Sequence, residues 1–135
     1  MIAFIIGLSS GILLIATFII LKKYDKQLVY GLTLTGIGFL YVGYTWSDLP
    51  SLIITSIQAI VFVALSYYGI KRSMYILTFG FFLHGVWDFV YSSFDKPGLI
   101  PPLYDVFCLT IDFVIGIYLL VLARQSSSSI KRANS

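Results

Sequence analysis

Five continuous apolar stretches, each about as long as a membrane-spanning helix, constrain this chain more than any other feature. They cover residues 2–21, 28–46, 51–70, 73–93 and 103–123. Strands of a transmembrane barrel would instead show segments of about ten residues with alternating polarity. Because a helix satisfies its own backbone hydrogen bonds in lipid, the stretches predict an all-α integral membrane bundle of five transmembrane helices.

The composition agrees with this class and leaves little room for anything else. Charged residues make up 11% of the 135-residue chain, whereas about a quarter of the residues in soluble domains are charged. We therefore predict a single transmembrane domain over residues 1–124. The serine-rich, basic tail over residues 125–135 is predicted to be disordered and cytoplasmic. The short links between stretches predict that sequential helices are antiparallel neighbours.

Basic residues are distributed unevenly between the two ends of the predicted helices. Of the nine lysines and arginines, only Lys96 lies on the side that holds the N-terminus. The other eight are Lys22, Lys23, Lys26, Lys71, Arg72, Arg124, Lys131 and Arg132. The positive-inside rule then places the N-terminus outside and the C-terminus in the cytoplasm. Topology thus explains the net charge of +3, so we predict membrane lipids as partners and no nucleic acid.

Ionisable side chains inside the apolar stretches mark the candidate site. His84 and Asp88 lie in the fourth stretch, and Asp105 and Asp112 lie in the fifth. A charged group near the bilayer centre costs about 2.5–3.5 kcal/mol on the insertion scale, so such groups usually face a bundle interior or a wet cavity. These four residues are the candidate acid–base residues.

Spacing and depth predict that these groups meet between the fourth and fifth helices. His84 and Asp88 are four residues apart and share a helical face, and Asp105 and Asp112 are seven apart and share another. At a rise of 1.5 Å per residue in antiparallel helices, His84 reaches the depth of Asp112. The predicted pocket opens toward the outer leaflet. Its candidate ligand-binding residues are Trp87, Tyr91, Tyr104, Cys108, Tyr44, Tyr41 and Gln58.

Three functions fit this pocket, and the sequence leaves open whether the protein is an enzyme. The leading hypothesis is binding of a small apolar, lipid-like or isoprenoid molecule, with acid–base conversion of the isomerase or cyclase type. The alternatives are a proton-coupled carrier or ion pathway, and an accessory subunit in which a His–Asp pair only holds helices together. One histidine among carboxylates is weak evidence for zinc, so we predict neither a metal nor another cofactor.

Two further features concern covalent and helix–helix contacts. Cys108 is the only cysteine, so an intrachain disulfide is excluded, and we expect it to be a small buried side chain.

Gly7 and Gly11 form a G-x-x-x-G motif, which lets helix backbones approach closely in lipid. The motif predicts either packing within the chain or a homo-oligomer.

The fourth and fifth helices also carry a recognisable pattern. It consists of His84-Gly85-Val86-Trp87-Asp88, then Pro102-Leu103-Tyr104, Phe107-Cys108 and Asp112. On these residues the chain resembles an uncharacterised family of small bacterial multipass membrane proteins. The resemblance covers about a third of the chain and implies a multipass topology and a location in the bacterial cytoplasmic membrane. It supplies no activity.

Overall fold

A computed structural model describes residues 1–133 and contains five α-helices in that part of the chain. They are α1 (Ile2–Ile20), α2 (Lys26–Thr45), α3 (Leu49–Arg72), α4 (Met74–Tyr91) and α5 (Tyr104–Ala133). Each is long and apolar enough to cross a membrane. The predicted all-α class with five spanning helices is confirmed, and the boundaries of α1 to α4 differ from the predicted ones by at most two residues.

Local side chains explain where three of the helices begin. The carboxylate of Asp25 accepts a hydrogen bond from the Leu28 amide at 2.9 Å, and this caps α2. The carboxylate of Asp48 accepts a hydrogen bond from the Ser51 amide at 3.1 Å, and this caps α3. The Ser73 hydroxyl accepts from an amide in the first turn of α4. Such caps satisfy amide groups that have no partner within the helix.

Helix α1 packs mainly against α5 and touches its sequence neighbour α2 through Phe18 and Tyr30. The prediction that sequential helices are neighbours is therefore wrong for α1. The physical reason lies in Gly7 and Gly11, which are buried where α1 meets α5. A Cβ atom on Gly7 would lie 2.7 Å from the backbone oxygen of Phe107, so only glycine allows this approach. Packing within the chain thus accounts for the motif.

The remaining helices surround α4, which packs against α5, α3 and α2. The apolar core extends from the middle of the bundle toward the end opposite the α4–α5 link. It consists of Tyr30, Leu34, Phe62, Leu77, Phe81, Ile115 and Leu119. His84 adjoins this core through Phe62, whose ring centroid is 4.7 Å from that of the imidazole.

Helix α5 is longer than predicted. Residues 125–133 continue the helix, where we predicted a disordered tail; Asn134 and Ser135 lie outside the described residues. The helix accommodates the serines of this segment, and each hydroxyl donates a hydrogen bond to the carbonyl four residues earlier. These bonds are made by Ser126, Ser127, Ser128 and Ser129.

An ion pair joins the α2–α3 link to the α4–α5 link at one end of the bundle. Lys96 donates a hydrogen bond to the Asp48 carboxylate. This contact, together with the hydrogen bonds from Ser51, lowers the pKa of Asp48 to about 2. The α4–α5 link also contains two residues with positive φ, Gly98 at 90° and Leu103 at 63°. The link turns sharply at these two residues before α5 begins.

Candidate functional site

Three buried ionisable side chains from α4 and α5 meet in the middle of the bundle, and we call them the His–Asp cluster: His84, Asp88 and Asp112. His84 Nδ1 lies 2.8 Å from Asp112 Oδ2 and forms a hydrogen bond with it. The same nitrogen lies 3.3 Å from Asp88 Oδ2. The depth match predicted between His84 and Asp112 is therefore confirmed, and the α-helical spacing of four residues brings Asp88 to the same nitrogen.

The cluster is buried but incompletely hydrogen-bonded. His84 is 1% exposed, Asp88 0% and Asp112 2%. Both carboxylate oxygens of Asp88 and the Nε2 atom of His84 are buried without a hydrogen-bond partner. Buried polar groups in proteins are nearly always paired, so unpartnered groups at one spot need an explanation.

Nothing in the described part of the chain supplies a compensating positive charge apart from His84 itself. The two buried carboxylates have His84 as their only ion-pair partner among the described residues. Two ionised carboxylates with one imidazole would leave net negative charge in a region of low dielectric constant, which is costly. A bound proton or a bound cation has to balance this charge.

Aromatic side chains cover the cluster toward the α4–α5 link. The Tyr41 ring lies 6.2 Å from the His84 ring, 5.2 Å from Tyr91 and 5.9 Å from Tyr104, measured between centroids. The Tyr41 hydroxyl lies beside the Asp88 carboxyl. Tyr44 packs edge-on against Tyr104 at 5.1 Å. These four tyrosines, all predicted as ligand-binding residues, therefore form one wall.

A cavity of about 260 Å³ adjoins the cluster, and we call it the lateral cavity. Helices α1, α2, α4 and α5 all contribute to its lining, which includes His84 and Asp112 but not Asp88. Most of the lining is apolar, as with Leu14, Ile37 and Ile111. Leu14 of α1 and Ile37 of α2 both line it, and because these two helices make few contacts with each other, we infer that the cavity opens between them.

The lateral cavity extends from the end of the bundle near the α4–α5 link to about the middle of the bundle, where Thr33 and Ile115 line it. Tyr44 and Tyr104 line it at the end near the link. Toward the other end, Phe18 of α1 contacts Tyr30 of α2 edge-on, with ring centroids 5.4 Å apart. The two helices thus meet at one end and leave a gap at the other.

Asp105 lies apart from the His–Asp cluster. It lines a second cavity of about 350 Å³ beneath the α4–α5 link, which we call the vestibule. Asp95, Tyr91 and Tyr41 also line the vestibule. Asp105 and Asp112 do share a helical face, but they are two turns apart, so only Asp112 reaches the depth of His84.

Gln58 and Trp87 face a third space on the other side of α4. They line an apolar groove of about 440 Å³ between α3 and α4. Both polar atoms of the Gln58 amide and the Trp87 indole nitrogen are buried without a partner. Of the predicted ligand-binding residues, Cys108, Tyr44 and Tyr104 line the lateral cavity, whereas Gln58 and Trp87 do not.

Sequence reasoning missed the contributions of α1 and of Phe62. Leu14 lines the lateral cavity although α1 contains no ionisable residue within its span. Phe62 packs against His84 from α3. Neither residue carries a signal in the sequence, because an apolar side chain in a membrane helix looks the same whether it faces lipid, a cavity or a histidine.

The site combines features expected from two of the hypotheses. A structural role predicts direct pairing of His84 and Asp112 in a filled core without a cavity; the 2.8 Å contact fulfils the first part, and the lateral cavity does not fit the second. A binding role predicts a cavity at the same residues, and the lateral cavity fulfils this for His84 and Asp112. Toward the opposite end, the unpartnered buried hydroxyls belong to Tyr30 and Ser66. These hydroxyls offer the carrier hypothesis no specific support.

One family model matches most of the chain. The model of a family of unknown function (DUF6010) matches residues 2–125. The match spans α1 to α4 and most of α5, and so extends well beyond the pattern on the fourth and fifth helices. No curated protein and no solved structure matches the chain.

Proposed function

We propose a function from the site itself, because this chain belongs to DUF6010, a family of unknown function. The proposed function is binding of a lipid-like or isoprenoid molecule in the lateral cavity, followed by acid–base conversion of the isomerase or cyclase type. The supporting observation is that a cavity of about 260 Å³ has a buried His–Asp pair in its wall. Ligand sites are typically apolar cavities with a few convergent polar groups.

The size and position of the cavity favour a long molecule over a compact one. Complete pockets for drug-sized ligands measure about 300–1,000 Å³, so this cavity is too small to enclose such a ligand. It can hold the polar end of a chain whose remainder lies in the bilayer, with the gap between α1 and α2 as the passage. Leu14 and Ile37 would contact the chain, and His84, Cys108 and Asp112 would contact its polar end.

The chemistry follows from the hydrogen bond between His84 and Asp112. When Asp112 is ionised, this bond requires a proton on His84 Nδ1, and in the neutral imidazole Nε2 is then an acceptor. A carboxylate that orients an imidazole in this way is a common arrangement for a general base. The rings of Tyr44 and Tyr104 in the same cavity could stabilise a developing cation, as cyclisation requires.

The positive-inside rule extends the proposal to location. It places the α4–α5 link, the vestibule and the lateral cavity in the outer half of the membrane. The resemblance noted above adds the cytoplasmic membrane of a bacterium. In this setting the ligand would come from the outer leaflet, and Asp105 and Asp95 would line the watery side of the site.

Native mass spectrometry of the purified protein tests the binding step. We expect a lipid-like molecule from the expression host to copurify with the wild type and with Cys108→Ser. It should be lost from Cys108→Phe, because the larger side chain fills the cavity, and reduced in His84→Ala. Asp88→Asn should retain it, since Asp88 does not line the cavity. Binding is refuted if nothing copurifies, or if Cys108→Phe retains the same species.

Deuterium incorporation tests the conversion step. The protein is reconstituted with total lipid extract of the expression host in D₂O, and the extracted lipids are examined by chromatography and mass spectrometry. Acid–base conversion at carbon should introduce deuterium into one lipid species with the wild type and not with His84→Ala. If the wild type and His84→Ala give the same labelling, the site binds the lipid without converting it.

A second candidate function is structural, and the direct 2.8 Å contact favours it. In that case His84 and Asp112 hold α4 to α5 inside a larger assembly. The copurification experiment separates the two, because a structural pair predicts the same bound species in wild type and Cys108→Phe.

A further inference from the structure

The His–Asp cluster has the spacing of a metal site as well as that of a hydrogen-bonded network. One ligand atom from each of His84, Asp88 and Asp112 lies within 4.8 Å of the other two. Protein ligands bind zinc at about 2.0–2.2 Å, so adjacent ligands on one ion, at angles of about 90–109°, are about 2.8–3.6 Å apart. The separations of 2.8 Å and 3.3 Å from His84 Nδ1 to the two carboxylates are close to that range.

The hydrogen-bond pattern around Asp88 is a second, independent observation. Its carboxylate is fully buried beside the Tyr41 hydroxyl and 3.3 Å from His84 Nδ1, yet neither oxygen forms a hydrogen bond of normal geometry with either group. Asp112 already occupies the same Nδ1 atom, so a single proton there cannot serve both carboxylates. A cation between the three groups would interact favourably with all of them at once.

Charge balance also favours a bound cation. Among the residues that the structure describes, no lysine or arginine pairs with either aspartate. A divalent cation neutralises two carboxylates completely and uses the imidazole as a neutral ligand. We propose that His84, Asp88 and Asp112 bind one divalent transition-metal ion, and that Zn²⁺ and Mn²⁺ suit this mixed nitrogen and oxygen donor set.

Three protein ligands leave coordination positions open, as in catalytic metal sites. The His84 and Asp112 side chains also line the lateral cavity, so a polar ligand group there would be close to the ion. In the metal-bound form the ion takes the place of the proton on Nδ1, and the neutral imidazole carries its proton on Nε2. The general-base arrangement described above therefore belongs to the metal-free form. Metal binding itself involves only protein groups and does not rest on the proposed lipid ligand.

Metal analysis of the full-length protein in detergent tests this inference. The protein is purified without a polyhistidine tag, stripped with chelator, incubated separately with Zn²⁺, Mn²⁺ or Mg²⁺, desalted and analysed by plasma mass spectrometry. We expect the wild type to retain Zn²⁺ or Mn²⁺ in stoichiometric amount and Mg²⁺ weakly. Asp88→Asn and Asp112→Asn should lose at least ten-fold in affinity.

Asp105→Asn is the matched control, because it removes a carboxylate from the same helix as Asp112 but outside the cluster. It should bind metal like the wild type. The inference is overturned if Asp88→Asn retains as much metal as the wild type. It is also overturned if Asp105→Asn loses as much metal as Asp88→Asn. Lipid copurification with chelator-stripped protein is scored separately, so failure of the metal site and failure of the ligand site are distinguishable.

A measurement on the wild type alone covers the case in which the aspartate variants fail to fold. Co²⁺ in a site of low coordination number gives strong visible absorption bands, which free Co²⁺ in water lacks. We expect such bands on adding Co²⁺ to the stripped wild type and their loss on adding Zn²⁺. A spectrum equal to that of Co²⁺ in the detergent buffer overturns the inference.

Discussion

At the scale of residues, the protein concentrates its buried ionisable groups in one place. His84, Asp88 and Asp112 are each at most 2% exposed, and the hydrogen bond of 2.8 Å joins α4 to α5. Groups of this kind are costly in lipid unless they are paired or neutralised. Their energetic coupling is therefore a measurable property of the site.

A double-mutant cycle measures this coupling. We expect His84→Ala and Asp112→Ala to be coupled by about 0.5–3 kcal/mol, since the two side chains are in direct contact. The free energy of unfolding in mixed micelles, followed by tryptophan fluorescence, gives the value. A parallel cycle of His84→Ala with Asp105→Ala should show no coupling, because Asp105 lies in the vestibule. Equal coupling in both cycles would contradict the assigned geometry.

At the scale of elements, glycines and end contacts determine how the helices meet. Helix α1 is mostly exposed to lipid and touches the bundle through its glycine face. The α2–α3 and α4–α5 links are tied together by Asp48 and Lys96. Each of these contacts makes a separate prediction.

Adding one methyl group should distinguish the buried glycine face from an open one. Gly7→Ala should lower the free energy of unfolding by about 1–3 kcal/mol, because its Cβ would meet the Phe107 backbone oxygen at 2.7 Å. A Cβ atom added at Gly36 meets no neighbouring atom within 4 Å. Gly36→Ala should therefore raise the free energy of unfolding by up to about 1 kcal/mol through helix propensity. Thermal unfolding of the two variants in detergent tests this. A stabilising Gly7→Ala would argue against the α1–α5 contact.

The ion pair between the two links should depend on pH. The Lys96 ammonium and the Ser51 hydrogen bonds hold the pKa of Asp48 at about 2, below its value of about 3.9 in an unfolded chain. The stabilisation is therefore present above about pH 4 and is lost as the pH falls toward about 2. Asp48→Asn keeps a capping side chain without the charge.

Thermal unfolding midpoints of wild type and Asp48→Asn, measured in detergent across this pH range, check the prediction. The wild type should be more stable above about pH 4, and the difference should vanish near pH 2. A difference that stays constant over the whole range would show that the charge of Asp48 plays no part.

At the scale of the whole molecule, the bundle is asymmetric along its axis. The vestibule lies beneath the α4–α5 link, the lateral cavity extends from there to the middle of the bundle, and the apolar core continues from the cavity toward the other end. The functional proposal depends on which end faces outward. Only the distribution of lysines and arginines bears on that orientation.

Cysteine labelling in intact cells tests the topology. In a Cys108→Ser background, Lys96→Cys should react with a membrane-impermeant maleimide from outside. Lys23→Cys should react only after the cells are permeabilised, because it lies between α1 and α2 on the predicted cytoplasmic side. The reverse pattern would place the lateral cavity in the inner half of the membrane.

The sequence by itself determined the membrane class, the five helices and the meeting of His84 with Asp112. These depend on composition, on segment length and on helical rise, all of which are local properties. Asp88 belongs to the same group, since a spacing of four residues places it beside His84. The family match over residues 2–125 agrees with this class without adding a function.

Only the tertiary structure decided which helices are neighbours and where the empty space lies. The placement of α1 on α5, the gap between α1 and α2, and the separation of Asp105 from the cluster all depend on side-chain shape across helices. In lipid, apolar side chains give no signal that separates a packed face from an exposed one, because both are in contact with apolar surroundings. For that reason the sequence located the ionisable groups but could not locate the cavity beside them.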